Sequence, residues 1–211
     1  MKRFLLLLSL AAITMFSFVR CNNDDDNLSP TETAKFKTFN EDMRALWSDH
    51  VIWTRNVIIN IMDGAPGTDQ AVNRLLKNQE DIGNAIKPYY GDEAGNALTT
   101  LLKEHINTAA ALLVAAKNDD ETAFNTASAA WYANADEIAT FLHNANPDHF
   151  GLTEWKNMMK DHLDMTLQEA TARLKQDYAG DVAAFDAVYE QVLMMADMLA
   201  EGIAMQFPDK F

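Results

Sequence analysis

From Thr31 to the end of the chain, apolar residues recur at the three- and four-residue spacing of an α-helix, and no stretch alternates as a half-buried strand would. Five turn segments rich in Gly, Pro, Asn and Asp interrupt this pattern. The pattern therefore predicts six helices, over residues 31–62, 68–87, 93–116, 121–145, 152–177 and 181–206. Because the connections are short, consecutive helices should pack antiparallel. We expect an all-α, up-and-down helical bundle that occupies residues 31–211.

The charge of the chain limits the partners that it can bind. Three of its 17 basic residues lie in the first twenty positions, so the rest carries 14 basic and 31 acidic residues and a net charge of −17. Such a surface repels the phosphates of nucleic acids and anionic lipid headgroups. We therefore expect no nucleic-acid partner, whereas cations and cationic ligands are compatible with the charge.

An acidic residue followed by histidine occurs three times in the predicted helices. The pairs are Asp49-His50, Glu104-His105 and Asp161-His162. The histidines are 55 and 57 residues apart, which is the length of one helical hairpin. A supersecondary unit repeated at a fixed period indicates internal duplication. The spacing predicts a bundle built from three repeated hairpins.

Each histidine falls within an apolar helical stripe, and an amide follows it at a constant distance. Gln79, Asn134 and Gln191 each come 29 residues after their histidine. In an antiparallel hairpin this spacing brings histidine and amide to similar height. Carboxylates follow the amides, and helical phase places them at the edge of the layer: Asp81, Asp136 and, less regularly, Asp197.

Three functions are compatible with this polar layer. The amides could satisfy buried histidines and thereby fix helix register. Alternatively, His50, His105 and His162 could bind a divalent transition metal, or the layer could hold a small ligand, with Trp53 and Arg55 lining the pocket. General acid–base catalysis is the third option, but no nucleophile motif or phosphate-binding glycine loop accompanies the histidines. We therefore expect a binding or interaction module and no enzymatic activity.

The first twenty residues have the character of a secretory signal. A basic start precedes an apolar run from Phe4 to Val19, which is short for a membrane-spanning helix. Cys21, the single cysteine of the chain, follows directly. The segment resembles a bacterial lipoprotein signal, although residues 18–20 depart from the usual lipobox. The resemblance implies lipidation of Cys21 after cleavage, and an uncleaved amino-terminal anchor is the alternative.

Residues 21–30 form a polar, acidic stretch that is too hydrophilic to build a core and therefore reads as a flexible tether. It resembles the acidic signal that directs some Gram-negative lipoproteins to the outer face of the cell, and a plain spacer fits equally well. Together the segments predict a cell-envelope protein that is anchored by lipid to the outer membrane. The domain itself resembles no family that these residues identify.

Overall fold

The computed structural model describes residues 28–211, so the predicted signal, Cys21 and most of the tether lie outside the described residues. The described part is all-helical, as predicted, and its helices form a bundle. Its five α-helices are α1 (Ala34–Asp63), α2 (Thr68–Lys117), α3 (Glu121–Ala145), α4 (Leu152–Leu174) and α5 (Tyr178–Gln206). Short 3-10 turns cover Pro30–Glu32 and Pro208–Lys210.

The helix ends follow from local side-chain chemistry. The hydroxyl of Thr33 accepts a hydrogen bond from the backbone of Phe36, and the carboxylates of Asp120 and Asp177 cap α3 and α5 in the same way. Each cap satisfies a backbone N–H that the first helical turn leaves without a partner. At the other end of α1, Gly64 adopts a left-handed conformation with φ of 67°, as helix-terminating glycines commonly do.

One predicted break differs from the structure. Residues 88–92 were expected to separate two helices, but α2 runs from Thr68 to Lys117 as one element, with non-helical backbone angles at Gly91 alone. Gly91 has φ of 84°, a conformation that glycine adopts without steric cost. A single residue therefore redirects the chain, and no separate loop is needed.

The two arms of α2 lie against each other on either side of Gly91. A side chain on Gly83 would place its Cβ 2.6 Å from the carbonyl oxygen of Gly95, and a side chain on Gly95 would meet Gly83 equally closely. Lys103 and Glu80 form an ion pair of 2.6 Å between the arms. The absence of side chains at both glycines thus permits close backbone packing, and it brings residues on opposite arms to the same height.

The core runs along the bundle axis and is filled mainly by large aliphatic and aromatic side chains. Ile58, Leu163 and Trp155 are completely buried, and each contributes roughly 1.5–3 kcal/mol or more to folding. α1 occupies a central place, because it packs against α2, α4 and α5. Within residues 28–211, no helix combines the length and the apolar character that crossing a bilayer requires.

Candidate functional site

Three buried histidines meet at mid-height of the bundle. His50 lies on α1, His105 on the second arm of α2 and His162 on α4, and their residues are 3–5% exposed. The ring centroid of His162 is 5.8 Å from that of His50 and 6.4 Å from that of His105. We call these three residues the histidine layer, and His162 is the direct neighbour of both other rings although all three come from distant parts of the sequence.

Each histidine is hydrogen-bonded to the amide predicted for it. The Nδ1 atom of His50 lies 3.2 Å from Gln79, that of His105 lies 3.0 Å from Asn134, and that of His162 lies 3.2 Å from Gln191. All three amide side chains are buried. The prediction that each histidine pairs with the amide 29 residues later is confirmed. Histidine and amide lie at similar distances from the turn that joins their helices, so both reach the same height in the bundle.

Backbone carbonyls hold the amides in orientation. Asn134 donates to the carbonyl of Leu101, and Gln191 donates to that of Met158, so the oxygen of each amide faces its histidine. In the first pair two neighbouring amides share these roles. Asn78 donates to the carbonyl of Leu46, and Gln79 contacts the ring of His50. Each carbonyl lies four residues before the histidine concerned. The rings are thus fixed by a second set of contacts.

Trp131 engages the second ring nitrogen of His105. Its indole N–H donates a hydrogen bond to Nε2 of His105 over 3.1 Å, so Nε2 is the acceptor. The proton of this neutral ring therefore lies on Nδ1, which donates to the side-chain oxygen of Asn134. The hydrogen bond from Trp131 to His105 was not predicted from the sequence. The available signal was the position of Trp131 three residues before Asn134 on the same helical face.

All three histidines are held neutral. Burial lowers the pKa of His105 to about 3 and that of His162 to about 4. Burial also lowers the pKa of His50 well below its usual value, and the neighbouring imidazoles of His162 and His105 lower it further. The amide hydrogen bonds act in the opposite direction and are weaker than burial. Neutral imidazoles can donate and accept hydrogen bonds but carry no charge to attract an anion.

Two enclosed cavities flank the histidine layer, and all three rings line both of them. Each cavity has a volume of about 30 Å³, which is room for one or two water molecules. The first cavity is lined by more residues than the second, among them Trp47, Trp155 and three methionines, Met43, Met159 and Met195. The second is lined by Trp131, two threonines and aliphatic residues besides the histidines. The layer is therefore a polar partition between two apolar spaces.

The predicted carboxylates do not join the layer. Asp81 pairs with Lys77, Asp136 pairs with Lys156, and Asp197 pairs with Arg44. These pairs are partly or largely exposed, and none of the three aspartates lines either cavity. They were candidates for ligand binding from the sequence, and in the structure their carboxylates form ion pairs away from both cavities.

Arg55 and Trp53 also point elsewhere. The guanidinium of Arg55 binds Glu169 at 2.7 Å and Asp181 at 2.8 Å, and it lies 4.7 Å from the centre of the Phe185 ring. Trp53 stacks with Arg74. Neither residue lines a cavity of the layer. We call Arg55, Glu169 and Asp181 the ionic cluster, and no local pattern in the sequence indicated it.

The geometry of the layer bears on metal binding. Within residues 28–211, no group of three or more His, Cys, Asp or Glu side chains is placed so that it could hold a metal ion. Every Nδ1 atom of the layer is engaged with an amide, and Nε2 of His105 is engaged with Trp131. Nε2 of His50 and Nε2 of His162 take part in no hydrogen bond among the described residues, and the buried indole N–H groups of Trp47 and Trp155, which line the first cavity, also lack a partner there.

Comparison with known proteins gives no match to a family model, to a curated protein or to a solved structure. The geometry of the histidine layer therefore carries the functional argument by itself.

Proposed function

We propose that the protein is a lipid-anchored binding protein of the cell envelope that holds a small molecule inside its helical bundle, at the histidine layer. One observation supports this most directly. No hydrogen bond within the described residues involves Nε2 of His50 or Nε2 of His162, and both residues line two cavities. Polar groups inside native proteins are almost always hydrogen-bonded, so unpaired ring nitrogens of residues that line a cavity support an occupant there.

The lining residues favour binding over catalysis. Every residue around the two cavities is apolar, aromatic, histidine or threonine. The hydroxyls of Thr54 and Thr166 already donate hydrogen bonds to the backbone carbonyls of His50 and His162. A nucleophile or a carboxylate that could work with the histidines is therefore missing from the lining that the structure describes, and general acid–base catalysis gains no support.

A divalent transition metal is the second candidate. The Nδ1 atoms of His105 and His162 face amide oxygens, which is the outer contact that metal-binding histidines commonly make. A third candidate is a structural module in which the layer only sets helix register, and the pairing of each histidine with its own amide favours it.

The proposed function is tested by the thermal unfolding of the full-length chain in detergent. Small neutral molecules and divalent metals are added singly to the parent and to a His162→Asn variant. Asparagine can keep a donor close to Gln191 but removes Nε2. We expect at least one compound to raise the Tm of the parent and not that of the variant, because a ligand that binds only the folded state stabilises it.

Two results would contradict the proposed function. One is a set of compounds that leaves the Tm of the parent unchanged throughout. The other is equal stabilisation of parent and variant, which would place binding away from the layer. A His149→Asn variant is the control, because His149 is exposed and lies outside both cavities.

We also infer that the bundle arose from three copies of a helical hairpin. The histidine–amide bond has the same sequence separation in all three pairs. In each pair an amide also donates to the carbonyl four residues before the histidine. A threonine hydroxyl bonds to the carbonyl of each histidine, from Thr54, Thr108 and Thr166. Repetition of all three contacts supports duplication of a six-helix, up-and-down plan.

The location in the envelope has its own test. Cys21 should receive lipid, so cells that express the full-length chain and are fed an alkyne-labelled fatty acid should yield labelled protein. A Cys21→Ser variant should stay unlabelled and leave the outer-membrane fraction. Label retained by the variant would exclude lipidation at this position and favour the uncleaved amino-terminal anchor.

A further inference from the structure

The protons of the histidine layer are arranged differently on its rings. The side-chain nitrogen of Gln79 lies 2.8 Å from the carbonyl oxygen of Leu75 and 3.1 Å from the side-chain oxygen of Asn78. Reversing this amide would set two oxygens against each other, so the nitrogen belongs there. The same nitrogen is 3.2 Å from Nδ1 of His50. This nitrogen carries two hydrogens for three acceptors, so one hydrogen is shared, and it offers no lone pair to which Nδ1 of His50 could donate. Nδ1 of His50 therefore accepts, and the proton of this neutral ring lies on Nε2.

His162 has the opposite arrangement. The nitrogen of Gln191 donates to the carbonyl of Met158 over 3.0 Å, so its oxygen faces Nδ1 of His162. Nδ1 of His162 must then carry the proton, because only a donor can face an oxygen acceptor. Nε2 of His162 consequently presents a lone pair. These two imidazole nitrogens, Nε2 of His50 and Nε2 of His162, are thus one donor and one acceptor.

A hydroxyl group is the smallest chemical group that satisfies both nitrogens, since it accepts one hydrogen bond and donates another. We propose that the occupant of the histidine layer is held through a hydroxyl group that accepts from Nε2 of His50 and donates to Nε2 of His162. This inference rests on the proposed function, because it names the chemical class of the molecule bound there. The two rings are neighbours, with centroids 5.8 Å apart, and both line the same two cavities.

The surroundings narrow the rest of the molecule. Among the described residues no Lys, Arg, Asp or Glu lines either cavity, so a charged ligand would be buried without a counter-charge. A metal ion requires lone pairs from its ligands, and Nε2 of His50 carries a proton instead. The hydroxyl therefore belongs either to water or to a compact alcohol or phenol with an apolar body.

The first cavity is where an apolar body would fit. Its volume of about 30 Å³ is too small for a ring as it stands. Three flexible methionines, Met43, Met159 and Met195, are part of its lining. Methionine changes shape at low cost, so these residues can make room for a ligand in a way that branched side chains cannot.

Histidine side-chain ¹⁵N NMR of the full-length chain in detergent micelles tests the proton positions directly. We expect a proton on Nε2 of His50 and on Nδ1 of His105 and His162. Detection of the same protonated nitrogen in His50 and His162 would overturn the inference, because two donors or two acceptors cannot share one hydroxyl in this way.

Phenol and toluene then distinguish hydroxyl recognition from simple filling of an apolar space. Phenol should shift the ring signals of His50 and His162, and toluene should need at least a tenfold higher concentration for a comparable effect, because it leaves both nitrogens unpaired. The His162→Asn variant should lose this preference, and the His149→Asn variant should keep it. Equal binding of phenol and toluene at the layer would overturn the inference while leaving the proposed function standing. Binding of a divalent metal through these rings would do the same.

A bound water and a bound alcohol or phenol have different consequences for the proposed function. A long-lived water with cross-relaxation to both rings, together with no binding of phenol or toluene, would support the bridging hydroxyl and would contradict ligand binding as the function. The absence of both water and ligand at the rings would overturn both proposals.

Discussion

The histidine layer and the ionic cluster are both buried polar sites, yet the bundle satisfies them in opposite ways. In the layer, neutral rings are paired one by one with neutral amides that follow at a fixed distance in the sequence. In the cluster, Arg55 of α1 serves Glu169 of α4 and Asp181 of α5 together. Each neutral pair joins two helical segments connected by a single turn, whereas the ionic cluster forms only when α1, α4 and α5 have assembled.

The two sites also differ in their response to acid. Burial lowers the pKa values of the layer, so folding is opposed when these rings become protonated. Burial raises the pKa of Glu169 to about 7, with Arg55 acting in the opposite direction. Protonation of Glu169 is therefore favoured by folding. A fall in pH should reduce the contribution of the histidine layer to stability and remove the unfavourable buried charge of Glu169. Burial therefore has opposite effects on the pH dependence of stability at a histidine and at a carboxylate.

The largest effect is expected from removal of the shared cation in the cluster. Arg55→Met removes the guanidinium that bonds both Glu169 and Asp181, whose side chains are 1% and 2% exposed, and leaves Asp181 a longer contact of 3.4 Å to Arg173. A buried charge that loses its partner costs about 3–5 kcal/mol, and Glu169, whose pKa is about 7, lowers this cost by taking up a proton. Urea unfolding at pH 7 should show a loss of up to this size.

Arg44→Met is the matched control for Arg55→Met, because Arg44 pairs with Asp197 at the surface. Exposed ion pairs contribute at most about 1 kcal/mol. Equal losses from the two variants would mean that the cluster is not energetically distinct from a surface pair.

The acid response of the layer should be the next largest effect. The pKa of His162 is about 4 in the folded protein, against an unfolded value of about 6.5. Its contribution to stability is therefore complete above about pH 6.5 and is lost as the pH falls toward 4. Between pH 7 and pH 5 the loss should be about 2 kcal/mol for this histidine.

Comparison of the parent with His162→Asn isolates that contribution, because Glu169 and the other carboxylates titrate in both. Urea unfolding at pH 7 and pH 5 should show a pH effect that is about 2 kcal/mol smaller in the variant. An unchanged pH effect would mean that His162 is protonated in the folded state.

A smaller effect is expected when the layer loses a single hydrogen bond. Trp131→Phe keeps an aromatic ring but removes the donor to Nε2 of His105. The buried acceptor is then unpaired, and the expected cost is about 1–3 kcal/mol. The signal of Nε2 in ¹⁵N NMR should move, and other His105 contacts should persist. An unshifted signal would exclude the Trp131 bond.

The smallest effect should come from a carboxylate that the sequence associated with the layer. Asp136 is 60% exposed and pairs with Lys156. Asp136→Asn should change the free energy of unfolding by less than about 0.5 kcal/mol, because exposed pairs are screened by solvent. Ligand effects on Tm should also be unchanged. A large loss of either would return Asp136 to the candidate site.

Much of the histidine layer was predictable because its contacts depend on spacing within one helix and across one turn. Helical periodicity predicted that His50 would be buried, and helix rise predicted that Gln79 would reach its height. The same arithmetic holds for Asn134 and Gln191, across the turns that precede α3 and α5. By contrast, Glu169 and Asp181 are 114 and 126 residues from Arg55, and no periodic feature connects them.

By itself, the sequence determined the all-helical character of the chain, the positions of its buried histidines and the amide that each would meet. These properties depend on spacing within a helix and across one turn, and both can be counted along the chain. Only the tertiary structure decided that the three rings would be neighbours, that Arg55 would bind two carboxylates and that two imidazole nitrogens would lack a partner. Those outcomes depend on how helices distant in sequence rotate against each other, and that rotation is set by the packing of the whole core.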